Sequence, residues 1–263
     1  MNILKIIRII TLLFAICLIA VSCEKLPTIT TLDIEEINCK LTDDEMNEIK
    51  MIADFEFNFY HSIYKEKYPR LKVKLFGDSL EYRKYQVENS KTQSRNGFYS
   101  SSKKIAVVNK NERFMKTIFH ELNHFIMDYY MLEVPKWINE GLSEYFENSM
   151  LANGHVKIYP QEKKAERLKK WTGEKDKINL ENFFTWTNSK WKEEDNKPDH
   201  FSYTLSWGVV YFFMEDELRK DIFRQIILAV KKGKKCTQAI NRFYPGGVQQ
   251  FQNDFVIYMD LKL

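Results

Sequence analysis

Two histidines one helical turn apart flank a carboxylate in the run His120-Glu121-Leu122-Asn123-His124. On a helix, positions i and i+4 point the same way, so both imidazoles can reach one metal ion while Glu121 stands beside them to take a proton from a water. Catalytic zinc takes three protein ligands and a water. The third ligand is expected at Glu140, in the next helical run Trp137-Ile138-Asn139-Glu140-Gly141-Leu142-Ser143-Glu144. These residues together predict one zinc ion per chain.

The elements that carry them follow from the pattern. At about 100° per residue, Phe114, Ile118, Leu122, Phe125 and Tyr129 form one stripe, widened by Met115, Phe119 and Ile126. His120 and His124 fall on the other side with Thr117, Glu121 and Asp128, which gives the helix a core face and a chemical face. Val134-Pro135 ends this helix, because the residue before proline is pushed out of the α region, and Pro135 suits the start of a second. The two helices are expected to lie antiparallel.

The segment Trp137-x-x-Glu140-Gly141-x-x-Glu144 resembles the third-ligand helix of the gluzincin metallopeptidases, the thermolysin and aminopeptidase N superfamily. By that resemblance His120, His124 and Glu140 match the zinc ligands and Glu121 the general base. Glu144, one turn beyond Glu140, matches an acidic residue that hydrogen-bonds a ligand histidine and fixes its tautomer. A downstream tyrosine or histidine in this superfamily donates a hydrogen bond to the oxyanion; Tyr203 or His200 fits, with Tyr203 preferred because it starts an apolar helix. The alternative for Tyr203 is a buried side chain that only packs. The distance in sequence from His124 to Glu140 is shorter than in the large aminopeptidases, so their exopeptidase machinery is not carried over.

A chain of 263 residues, 44% apolar and 29% charged, can bury one substantial core. The net charge is +4, Lys5 and Arg8 belong to the leader, and no basic stripe stands out, which argues against a nucleic-acid partner. Lys5 and Arg8 precede an apolar run from Ile9 to Val21, a signal peptide over 1–22. Ala20-Val21-Ser22-Cys23 resembles the bacterial lipobox, so Cys23 is expected to carry lipid and to begin the mature protein, with 23–40 as a tether and 41–263 as one catalytic domain. Cys39 and Cys236 remain, either paired or as two thiols.

Along the chain, Thr42 or Asp43 caps a helix through Ile49, Ile52, Phe55, Phe59 and Ile63. Leu71 to Phe76 alternates as a strand, a short helix follows from about Ser79 to Val87, and Gly97 to Tyr99 and Lys104 to Asn109 supply two more strands. In zincins such a sheet has an edge strand lining the cleft, where an extended peptide can pair. Trp171, Phe183, Phe184, Trp186 and Trp191 sit among charges between Tyr159 and Lys197, read mainly as anchors for a helical insertion and otherwise as a groove lining. Two closing helices are expected around Pro245-Gly246-Gly247.

The expected fold is therefore α+β and zincin-like: a small N-terminal sheet, then active-site helices and a mostly helical C-terminal part. The expected function is zinc-dependent hydrolysis of peptide bonds by a lipid-anchored protein of the bacterial envelope, acting on a peptide or protein substrate. Two alternatives stay open: a non-catalytic envelope binding protein of the same fold, and a metal hydrolase acting on a non-peptide substrate.

Overall fold

A computed structural model describes residues 31–262 apart from 66–68, 92, 132 and 175. The leader and Cys23 lie outside these residues. Among the described residues no helix is long and apolar enough to cross a membrane.

The chain is α+β, with a small sheet near its beginning and a mostly helical remainder. The sheet contains β1 (Leu32–Ile37), β2 (Leu71–Phe76), β3 (Gly97–Ser100) and β4 (Ile105–Asn109), in the order β1-β2-β4-β3. β1 and β4 each run parallel to β2, and β3 is antiparallel to β4 at one edge. The tether expected over 23–40 is thereby corrected: its second half is a strand. Leu32 and Ile34 alternate with Asp33 and Glu35, and those acidic residues pair with cations flanking or within β2, Arg70 at 3.1 Å and Lys74 at 2.8 Å. The same charges lower the segment's apparent apolar content.

Helix α1 (Asp43–Tyr64) starts in a capping box: Glu45 N donates to Thr42 Oγ1 at 3.1 Å and Thr42 N donates to Glu45 Oε2 at 2.8 Å. After β2, α2 (Ser79–Asn89) leads back to the β3–β4 hairpin, and α3 (Phe114–Tyr130) and α4 (Lys136–Phe146) follow. The apolar stripe of α3 is buried at Ile118, Phe119, Leu122 and Ile126, against α1, the sheet and α4. Its last turn departs from the wheel. Tyr129 is 48% exposed, and Tyr130 takes the inner position, stacked on Tyr64 with ring centroids 4.6 Å apart.

An antiparallel hairpin of β5 (Ser149–Ala152) and β6 (His155–Ile158) comes next, an element not among those expected from the apolar pattern. Its signal was present in Asn153-Gly154, both at positive φ (53° and 76°), as a two-residue hairpin turn requires. Helices α5 (Glu162–Thr172), α6 (Leu180–Phe183) and α7 (Asn188–Asp195) form the insertion. Trp171, Phe183, Phe184 and Trp191 are all buried in the core, so they anchor it. None of them lines the metal cleft described below.

The apolar helix α8 (Phe201–Met214) packs closely on α4. A side chain at Gly141 would meet Ser206 O and Val210 Cγ2 at 2.7 Å, which is why α4 carries glycine there. Three helices rather than two close the fold: α9 (Glu217–Lys231), α10 (Cys236–Phe243) and α11 (Gly247–Lys262). Cys39 and Cys236 are both free thiols; Cys39 Sγ donates to Leu75 O at 3.5 Å, and Trp137 Nε1 donates to Cys236 Sγ at 3.3 Å.

Candidate metal centre

Helices α3 and α4 bring His120, His124 and Glu140 together, with one ligand atom from each inside 4.8 Å of the others. Nε2 of His120 is 3.9 Å and Nε2 of His124 is 3.6 Å from Glu140 Oε2. The opposite ring nitrogens are held by the protein. His120 Nδ1 lies 3.1 Å from Glu147 Oε2, and His124 Nδ1 lies 3.0 Å from Asn139 Oδ1. A carboxylate and an amide oxygen only accept, so each Nδ1 carries the proton and each Nε2 turns a lone pair toward Glu140.

Ser143 agrees with this assignment for His124. Its Oγ accepts from Asn123 Nδ2 at 2.7 Å and donates to Asn139 O at 3.0 Å, so toward His124 Nδ1, at 3.2 Å, it has only a lone pair left. Asn123 is itself held by the Tyr60 hydroxyl, and both Asn123 and Ser143 are fully buried. This network ties α1, α3 and α4 together behind the histidine.

Two ring nitrogens and a carboxylate oxygen converge within 4.8 Å, and a cation between them, whether a metal ion or a proton on His120, offsets the repulsion of their lone pairs. The donor set, two nitrogens and one oxygen with the outer nitrogens engaged, could hold a metal ion. The surrounding field agrees. Burial opposes a positive charge on His120, but the Glu147 hydrogen bond and the charges of Glu121, Glu147 and Glu144 push its pKa up to about 10. The carboxylates that hold a proton there also attract a metal cation. Burial also raises Glu140, yet His124, His120 and Lys136 outweigh it and hold the carboxyl below its usual range; Lys136 Nζ lies 3.3 Å from Glu140 Oε1.

The remaining expected residues fall as follows. Glu121 is 8% exposed and faces the same cleft; burial raises its pKa against the pull of both histidines and a Tyr99 backbone hydrogen bond. Tyr203, on α8, lines that cleft, whereas His200 opens onto the adjoining cavity. Glu144 is corrected in its role. Its carboxylate is engaged by Lys164 and by Gln161 Nε2 at 3.3 Å, and the carboxylate on His120 Nδ1 belongs to Glu147, one turn further along. Glu144 still lies in a second cluster with His120 and Glu147, all within 4.8 Å.

Glu147, Asn139, Asn123 and Ser143 were missed as supporting residues. The run quoted from Trp137 contained Asn139 and Ser143, and Glu147 repeats at i+3 from Glu144, but which of several carboxylates reaches a ring depends on where α4 ends.

The cleft has a volume of about 1070 Å³. Gly97, Phe98 and Tyr99 of β3 form one wall, and β3 pairs with no strand but β4 among the described residues. Gly97 permits this closeness, since a side chain there would meet Thr117 Cγ2 at 2.5 Å and Val107 O at 2.8 Å.

Residues 114–233 match a family described as a protein of unknown function (DUF1570). The matched segment runs from the first residue of α3 to just past α9, so it contains every residue of the metal centre and Tyr203. No curated protein matches the chain.

Proposed function

We propose that the protein is a zinc-dependent peptidase of the gluzincin type, anchored by lipid at Cys23 in a bacterial envelope. The observation that carries the reading is the pair of tautomer-fixed histidines whose Nε2 atoms converge on Glu140, with Glu121 in the same cleft. Zinc held by His120, His124 and Glu140 would supply a Lewis acid for the scissile carbonyl and an acidified water.

The chain's own groups do the rest. Glu121 takes a proton from the attacking water and passes it to the leaving amine; burial raises its pKa, which favours the protonated state it passes through between the two transfers. Tyr203 stays protonated, because burial and the charges of Glu140, Asp195 and Glu144 raise its pKa, so it can donate to the oxyanion that develops on the carbonyl. The free edge of β3 offers main-chain groups to an extended peptide, which favours peptides over other substrates.

Elemental analysis of the purified protein with an unbiased peptide-cleavage assay tests the proposal. One zinc per chain and cleavage lost on chelation are expected. A metal-free protein, or a zinc protein that turns over no peptide, would contradict it.

A further inference from the structure

A second cavity, of about 980 Å³, opens off the metal cleft and shares Ser94, Asp195 and Tyr203 with it. Its far wall is α5, which contributes Lys163, Lys164 and Arg167. This wall is fixed in place: Ala165, Leu168 and Trp171 root α5 in the core, and Lys164 pairs with Glu144 of α4.

The ion pairs leave a surplus on that wall. Glu144 is matched by Lys164, while Glu147 accepts from His120 Nδ1 and pairs with Arg113 at 3.9 Å. Lys116 donates only to the neutral Asn148 Oδ1, at 2.7 Å. Lys163 and Arg167 have no hydrogen bond or ion pair among the described residues, and Arg167 is half-buried. The two other carboxylates of the lining are Glu162, exposed in the first turn of α5, and Asp195, which stands where the cavity joins the cleft and interacts with Glu140, His200 and Lys136. Arg167 thus presents a planar fork of donors with no partner among the described residues, on a helix rooted in the core, a geometry that suits a carboxylate taken in two parallel bonds.

We propose that this cavity is a specificity subsite for an acidic side chain, in which Arg167, supported by Lys163 and Lys116, binds an Asp or Glu of the substrate. The proposal deepens the peptidase reading and rests on it for the word substrate. A peptide lying along β3 and across the metal centre would place one residue, on a fixed side of the scissile bond, into the cavity behind Tyr203.

The experiment uses zinc-loaded full-length protein and three labelled peptides of equal length, differing at one position as Glu, Gln or Lys. Binding is followed by fluorescence anisotropy and cleavage by mass spectrometry, for the wild type and for Arg167→Gln and Arg167→Glu. Desolvated charged hydrogen bonds of this kind change affinity by about ten- to a hundredfold. The Glu peptide should bind about tenfold or more tightly than the Gln peptide in the wild type. Arg167→Gln should erase that gap and Arg167→Glu should turn the preference toward Lys. Equal affinities in the wild type, or a Glu preference that survives Arg167→Glu, would overturn the subsite. Selective binding without cleavage of any peptide would support the subsite and sink the hydrolytic reading alone.

Discussion

Glu147 Oε2 lies 3.1 Å from His120 Nδ1 and so fixes which nitrogen of that ring faces Glu140. Burial raises the Glu147 carboxyl, but its hydrogen bond to His120 and the charges of His120, Lys164 and Arg113 hold it below the usual range, so it is an anion at neutral pH. An anion on Nδ1 makes Nε2 a better donor to a metal.

Glu147→Gln should therefore weaken zinc binding by about 10–100-fold. Glu144→Gln should weaken it less, because the Glu144 carboxylate already answers Lys164 and Gln161. Competition with a chromophoric chelator measures both. A larger loss in Glu144→Gln than in Glu147→Gln would reassign the partner of His120.

Tyr203→Phe keeps the ring that packs edge-on against Trp191, at 5.7 Å between centroids, and removes only the hydroxyl. The expected result is a fall of about 10²–10³ in kcat with KM little changed. His200→Ala, outside the metal cleft, should leave kcat within about twofold of the wild type, a change too small for a lost oxyanion donor. The reverse order in steady-state kinetics would move the oxyanion donor to His200.

Glu56 supplies a prediction about stability. It is fully buried on α1, neither carboxylate oxygen has a hydrogen-bond partner among the described residues, and burial pushes its pKa well above the ordinary value, with only the charge of His120 opposing. The folded protein thus keeps a proton that the unfolded chain, with a carboxyl near 4.5, gives up. Stability from this group is complete below that value and declines as pH rises toward the folded pKa. Glu56→Met should stabilise the protein by about 1–3 kcal/mol at pH 7, and by less at pH 5. Urea midpoints at the two pH values test this; a gain that is larger at pH 5 would contradict it.

Local signals made the sheet strands β2 to β4 and helices α1 to α4 legible in the sequence. Proline, capping residues and apolar period agree there, and the chemical face of α3 is opposite its apolar stripe. β1 was not legible, because its stability comes from pairing with a strand far along the chain and from ion pairs across that pairing. At the metal centre, the residues that carry chemistry have fixed spacings on one helix or two. Those that support them do not. Glu147, Asn139 and the Tyr60 hydroxyl reach their partners only through the crossing of α1, α3 and α4. The surplus charge at Arg167 is equally invisible in sequence, where Lys163, Lys164, Lys169 and Lys170 look alike until ion pairs distinguish them.

The most direct test of the central claim, that this cleft hydrolyses peptides with Glu121 as the base, is a paired measurement on Glu121→Gln. The amide is nearly isosteric and Glu121 is no part of the His120, His124 and Glu140 set, so zinc per chain should equal that of the wild type by elemental analysis. Peptide turnover of the same sample should fall by about 10²–10⁴. His124→Ala, which removes a ligand, should lose zinc and turnover together. Wild-type turnover in zinc-replete Glu121→Gln would contradict the account.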